Sequence, residues 1–230
     1  MEVNVQIYVE NYPLWDKKGR LKYAEVTKFL GDFHFENSNI VCPLCGRTLR
    51  KQVFEHPYYI KISNTRFPDC LNRMVPFIVS ERFVELYSKS NLKGIYAFDK
   101  IDEVTANYNK ANKIPPNYYI AYVMVDPKLH IDRNQSSFTY LKCESNKTHC
   151  EICKLPGGTN SSTHKIVLKM EDWSGFDVFK IMELGNLTFY SQRFVDFIRE
   201  NQLTNFWIEP IETYQSGPVY MGQHKQFEIV

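Results

Sequence analysis

Two short cysteine pairs are the residues of this chain best suited to chemistry. Cys42-Pro43-Leu44-Cys45-Gly46 and Cys150-Glu151-Ile152-Cys153 are both CxxC strings. A CxxC turn sets two thiolates on one side of a tight bend, within reach of a single ion. Pro43 stiffens the first bend, and Gly46 can take the positive φ that follows such a turn. The four thiolates Cys42, Cys45, Cys150 and Cys153 form a tetrahedral donor set that suits Zn²⁺. More than a hundred residues separate the two pairs, against roughly 15–20 in a self-contained ribbon. The metal would therefore be a long-range clip between distant stretches of chain. Loop-closure entropy grows only as the logarithm of length, whereas a structural zinc site returns on the order of 10 kcal/mol. A redox dithiol and a pair of disulfides are the alternatives. Two CxxC pairs in a chain that reads as intracellular favour the metal. Cys143 and His149 are spare donors for the second half-site, and Cys70 reads as a buried free thiol.

Four thiolates fill a tetrahedron and leave no position for a substrate, so the metal reads as structural. His34-Phe35-Glu36 ahead of Cys42-Pro43-Leu44-Cys45 matches part of the zinc deaminase signature. The proline follows the first cysteine instead of preceding it, and five intervening residues cannot supply the separate helix such ligands need. No HExxH, GxSxG, GxGxxG or GxxxxGK[ST] string occurs, and only 10 Gly are present in 230 residues, which argues against a phosphate-cradling enzyme. The expectation is a protein that is not an enzyme.

The elements that must carry the cysteines repeat. Ser80-Glu81-Arg82-Phe83-Val84-Glu85-Leu86-Tyr87 aligns with Ser191-Gln192-Arg193-Phe194-Val195-Asp196-Phe197-Ile198 at an offset of 111, with Ser, Arg, Phe and Val identical. The CxxC pairs are offset by 108. Two correspondences in the same order imply a duplication. Ser80 and Ser191 are N-cap residues, and Glu81 favours the dipole of the first helix. Phe83, Leu86 and Tyr87 recur at helical spacing, as do Phe194, Phe197 and Ile198, so each helix buries one stripe. Val75–Val79 and Leu187–Tyr190 look extended, and Ile95–Phe98 and Phe206–Glu209 start strands after the helix ends at Asn91–Gly94 and Thr204-Asn205. Tyr118–Val125 corresponds weakly to the opening strand Val3–Val9. Thr105–Pro116 is polar, Asn-rich and ends in Pro-Pro, which suits a connector. The fold class is α+β, two pseudo-repeats of strand, CxxC knuckle, strand, helix and strand, clipped by a four-cysteine zinc-ribbon-like site. The units are residues 1–104 and 118–230, joined by 105–117.

Composition excludes several classes. Hydrophobic residues make up 43% and charged residues 23%, ordinary globular values that exclude wholesale disorder. The 28 Lys and Arg against 26 Asp and Glu give a net charge of +2, far from the excess a nucleic-acid-backbone binder carries. Arg47, Arg50 and Lys51 beside the first knuckle suffice for two or three phosphate contacts. Lys142, Lys147 and Lys154 beside the second are offset by Glu144 and Glu151. The N-terminus lacks a basic n-region and a long apolar core, and Tyr118–Val125 is too short to span a bilayer. The expectation is a cytoplasmic protein with no membrane partner. Aromatic residues reach 15%, from 15 Tyr, 16 Phe and 3 Trp. Tyr12, Trp15, Tyr58, Tyr59, Trp173, Tyr214 and Tyr220 stand in polar surroundings, where they could anchor a protein partner.

CPLCG and CEIC, followed by Asp177-Val178-Phe179, Gly185, Ser191-Gln192-Arg193 and Phe206-Trp207-Ile208-Glu209-Pro210, resemble the bacterial double-CXXCG motif family over residues 40 to 212. The Ser-x-Arg helix also resembles related immunity families in which a strand, helix and strand end in a Phe-x-Pro-like strand. The chain departs from the pattern at Lys154, where the family has Gly after the second cysteine pair. The resemblance implies an immunity protein of a polymorphic toxin system, a cytoplasmic binder whose partner is a cognate protein toxin. The other reading is a zinc-ribbon protein that binds nucleic acid or acts as a regulatory adaptor.

Overall fold

Both helices form where the Ser caps place them. In the computed structural model, which describes residues 6–10, 26–41, 48–63, 65–71, 77–107, 113–139, 162–184 and 187–215, α1 is Glu81–Lys89 and α2 is Gln192–Glu200. Ser80 and Ser191 hold extended backbone, and their hydroxyls accept from the N–H groups of Phe83 and Phe194. Each cap thus satisfies one of the donors that a helix N-terminus leaves orphaned. The helices end at Ser90 and Asn201, earlier than the turn residues further on imply. Ser90 Oγ and Asn201 Nδ2 each donate to a last-turn carbonyl, Tyr87 and Phe197 respectively.

Fourteen strands surround them among the described residues: β1 Ile7–Glu10, β2 Val26–Val41, β3 Thr48–Ile62, β4 Cys70–Leu71, β5 Phe77–Ser80, β6 Ile95–Lys100, β7 Glu103–Ala106, β8 Tyr118–Val123, β9 Val125–Asp126, β10 Ser137–Thr139, β11 Ser162–Lys165, β12 Val178–Ile181, β13 Phe189–Ser191 and β14 Ile208–Pro210. The fold is mixed α+β and mostly strand. Four sheets form, in the orders β14-β1-β13-β12-β9, β4-β5-β8-β6, β2-β3-β7 and β10-β11. β7 runs to Ala106, so the connector read from residue 105 begins inside a strand.

Each helix lies between two strands that a third, distant strand joins. β5 and β6 flank α1 in sequence, and β8 sits between them with Ser80 opposite Tyr118 and Ile78 opposite Ile120. β13 and β14 flank α2, and β1 sits between them with Ser191 opposite Ile7 and Phe189 opposite Val9. The offset of 111 relates the two sets reciprocally: it carries Ser80 and Ile78 to Ser191 and Phe189, and Ile7 and Val9 to Tyr118 and Ile120. The central strand of each group comes from the opposite half of the chain.

The alternation of strand side chains then makes three cores. Val79, Ala121, Tyr8, Tyr190 and Ile208 face one core shared by both helices. Ile78, Ile120 and Tyr118 face a second with Phe54, Tyr58, Ile60 and Ile62 of β3. Ile7, Phe179 and Phe189 face a third with Leu129, Ile131 and Leu168. Phe83 is the hub of the shared core, stacked on Phe206 with ring centroids 5.6 Å apart and edge-on to Phe194 and Phe197 at 6.2 and 6.1 Å. Much of the aromatic excess is accounted for here, since ring pairs at such angles add to their burial.

Gly94, ahead of β6, has φ of +120°. A Cβ there would overlap the carbonyl oxygen of Val178. Only glycine permits both that backbone and so close an approach.

Candidate functional site

The four sequence-derived zinc ligands, Cys42, Cys45, Cys150 and Cys153, lie outside the described residues, as do Cys143 and His149. The chain on either side of each pair is described. Val41 of β2 pairs with Thr48 of β3, so the first CxxC belongs to the connection between two antiparallel strands. Thr139 of β10 pairs with Ser162 of β11, so the second also joins antiparallel neighbours. Among the described residues no group of three or more His, Cys, Asp or Glu is placed to hold a metal ion. Cys70 is a fully buried thiol that forms no disulfide.

Two buried aspartates form the most elaborate polar sites. Asp69 Oδ1 accepts from Ser80 Oγ at 2.9 Å, and its backbone carbonyl accepts from Ser80 N–H at 2.8 Å. Its Oδ2 accepts from Thr204 N–H at 2.9 Å, Thr204 Oγ1 at 3.0 Å and Arg82 Nη1 at 3.0 Å. Asp177 repeats the arrangement. Its Oδ1 accepts from Ser191 Oγ at 2.7 Å and its carbonyl from Ser191 N–H at 2.9 Å. Its Oδ2 accepts from Lys93 N–H at 2.9 Å and faces Arg193 Nη1 at 3.5 Å. Each aspartate therefore fixes the cap of one helix to the segment that follows the other helix.

The arginines complete the exchange. Arg82 of α1 donates to the carbonyls of Asn201 and Gln202 after α2, at 2.5 and 3.5 Å. Arg193 of α2 donates to Asn91 O after α1 at 3.4 Å. A cation at a helix C-terminus answers both the orphan carbonyls and the dipole. Sequence alignment placed Arg82 against Arg193 without a role for either. It gave neither aspartate a role, although Asp69 and Asp177 are offset by 108 like the cysteine pairs. The three-residue difference from 111 therefore falls between Asp177 and Ser191.

A third polar cluster lies at the root of the β2–β3 hairpin. His56 Nδ1 lies 2.7 Å from Asp102 Oδ2, and Nε2 lies 3.0 Å from Asp99 Oδ1. The Tyr58 hydroxyl lies 3.0 Å from Nε2, and the rings of His56 and Tyr58 stack at 4.1 Å. Hydrogen bonds to Asp102 and then Asp99 raise the His56 pKa. The same histidine, followed by the N–H of Tyr58, lowers that of Asp102. The cluster ties β3 to the corner between β6 and β7. His34, the histidine of the partial deaminase match, stands exposed on β2 with Nδ1 2.6 Å from Glu55 Oε1 and Nε2 3.1 Å from Glu36 Oε1.

The aromatic anchors expected at the surface divide. Tyr59 is exposed, and Trp173 is part-buried against Phe179. Tyr58 and Tyr214 are buried instead, one because strand alternation turns it into the core beneath β3, the other because it packs beside Ile211. Tyr12, Trp15 and Tyr220 lie outside the described residues.

Comparison with known families bears on what this arrangement serves. No curated protein matches the chain. The model of the Immunity protein family (Imm11) matches residues 49–213, which takes in both helices, both aspartate sites and the second cysteine pair. That span is well over half of the chain. The protein belongs to the Immunity protein family (Imm11).

Proposed function

We propose that this chain protects the cell that makes it by binding a cognate protein toxin in the cytoplasm, without chemistry of its own. The observation that carries the reading is the family match over residues 49–213. The double-CXXCG resemblance points the same way. A binder of this kind needs a rigid surface, and the shared aromatic core with its two aspartate sites supports one.

Zinc held by Cys42, Cys45, Cys150 and Cys153 is part of the proposal. Its support is the donor set and the placing of both CxxC strings between antiparallel neighbours, the connection in which a zinc knuckle is built. The metal would supply stability and no catalysis. We also read residues 1–104 and 118–230, joined by 105–117, as two copies of one unit. Equal strand registers and matched aspartate sites support that reading.

Co-expression with the toxin domain encoded beside this chain's gene tests the function. Growth should be restored and the two proteins should co-purify. A toxin that kills in the presence of well-expressed, folded chain would overturn the reading. Metal analysis tests the staple separately: about one zinc per chain is expected, lost in Cys42→Ser together with several kcal/mol of stability. A metal-free and equally stable variant would remove zinc while leaving the binding role intact.

A further inference from the structure

We propose that the outer part of the β2–β3 hairpin is a hinged arm, fastened to the corner between β6 and β7 by a clasp that closes only when the His56 imidazole carries two protons. The proposal stands apart from the immunity reading and concerns how the arm that leads to the first CxxC string is held.

The hinge is written in the strand pairing. Residues 59–62 of β3 pair on one side with residues 26–30 of β2 and on the other with Glu103–Ala106 of β7. Residues 48–55 of β3 pair with β2 alone among the described strands. Between these stretches the register shifts, and His56, Pro57 and Tyr58 stand opposite no residue of β2. A strand bends where its ladder is interrupted in this way. Phe54, buried just beyond the break, seats the arm at every pH, and its N–H bonds the Tyr122 hydroxyl of β8. Tyr58 N–H donates to Asp102 Oδ2 at 2.9 Å.

The His56 contacts depend on protons, and those two do not. A neutral imidazole has one N–H, an imidazolium has two, and an ionised carboxylate only accepts. His56 Nδ1 lies 2.7 Å from Asp102 Oδ2 and Nε2 lies 3.0 Å from Asp99 Oδ1, so both contacts are hydrogen bonds in the imidazolium alone. In the neutral ring one nitrogen sets its lone pair against a carboxylate oxygen. Asp102 is the nearer acceptor, so the proton stays at Nδ1 and the Asp99 contact opens.

The surroundings agree. Asp102 and Asp99 are the charged groups acting on His56, and their hydrogen bonds, Asp102 first, raise its pKa. Burial and then Asp99 raise the Tyr58 hydroxyl, and burial raises Tyr122 behind it, so neither phenol ionises in this range. Glu55, the neighbour of His56 on β3, is engaged by His34 and stands opposite Asp32. The clasp is therefore complete below the ordinary histidine value of 6.5 and is lost as pH rises through the raised one. The His56 side chain is 49% exposed, so the clasp modulates the hold of the arm without deciding whether it folds.

Hydrogen exchange of the Phe54 and Tyr58 amides, read by NMR on the whole chain, tests the proposal. Protection is taken relative to the Ile198 amide of α2, whose buried position reports opening of the whole chain. From about pH 5.5 to about pH 8.5 the ratio should fall about threefold, the size an exposed ion pair allows. Asp99→Asn should abolish the fall, because an amide turns its oxygen or its NH₂ to whichever form Nε2 takes. His34→Gln should keep it, since His34 joins Glu36 of β2 to Glu55 of β3 within the arm. Imidazole ¹⁵N shifts of the parent should place the proton of neutral His56 on Nδ1. A ratio independent of pH in the parent would overturn the proposal, as would a fall that survives Asp99→Asn or vanishes in His34→Gln. A neutral His56 protonated at Nε2 would overturn the assignment of Asp99 as the contact that opens.

Discussion

The Asp177 carboxylate accepts a hydrogen bond from the backbone N–H of Lys93 at 2.9 Å, across 84 residues of chain. Its counterpart runs from Thr204 N–H to Asp69 at 2.9 Å. In both, a buried carboxylate on the strand side of one helix holds the exit of the other helix. Neither helix exit can move away without losing its bond to the carboxylate that braces the cap of the other helix.

Asp177→Ala should therefore cost far more than Arg193→Ala. The aspartate is 1% exposed, and its loss strands the Ser191 hydroxyl and the Lys93 amide without their acceptor. About 3–5 kcal/mol is expected, the usual result of removing one buried partner. The Arg193 side chain is 61% exposed, so its ion pair is screened and its removal should cost no more than about 1 kcal/mol. Urea unfolding of both variants measures the contrast. Equal costs would show that the carboxylate acts only through the arginine.

Gly94→Ala should be among the most damaging single-methyl changes in the chain. The added carbon meets the Val178 backbone, which cannot step aside without parting β12 from its neighbours. Gly175 also has a positive φ, of +79°, but open space around it. Gly175→Ala should then carry only the backbone strain, about 1 kcal/mol, and Gly94→Ala several times that. Thermal melts of the pair separate overlap from strain, and similar midpoints would show that the Val178 contact yields.

What the sequence made legible was local. Ser80 and Ser191 announced their helices because a cap and an apolar stripe are set by residues within one or two turns. The sheet partners were not legible. β1 pairs with β13 some 180 residues away, and four-residue strands carry no mark of their neighbour. Tyr58 reads as a surface aromatic because it stands in polar surroundings, yet alternation along β3 buries it. Asp69 belongs to no motif and Asp177 only to the string that carries the resemblance, since what distinguishes the two is the convergence of donors from distant segments. The repeat offset held the missing clue, because 108 applies to the cysteines and aspartates and 111 to the serines and arginines.

Burial on β14 pushes the Glu209 carboxyl up to about 7, from an ordinary value of 4.5. The folded chain thus keeps a proton that the unfolded chain gives up between those values. The favourable contribution is complete below pH 4.5 and is lost as pH rises through 7. The size is about 3 kcal/mol at most. Subtracting the stability profile of Glu209→Gln from that of the parent removes the shared titration of His34 and His56. The difference should fall from pH 5 to pH 8, and a flat difference would mean that Glu209 is ionised in the folded protein throughout.

The exchange of central strands leads to a prediction about fragments. Residues 1–112 contain β5, α1 and β6 but lack β8, the strand that joins β5 to β6. Residues 113–230 contain β13, α2 and β14 but lack β1. Each fragment would also expose its face of the shared core, with Phe83 parted from Phe194, Phe197 and Phe206. Neither should unfold cooperatively alone, whereas an equimolar mixture should regain near-ultraviolet circular dichroism and a single urea transition. The mixture forms by supplying each sheet with its missing strand, so its midpoint should rise with concentration. A cooperative transition in residues 1–112 alone, at the midpoint of the whole chain, would show that β8 is dispensable for the first half.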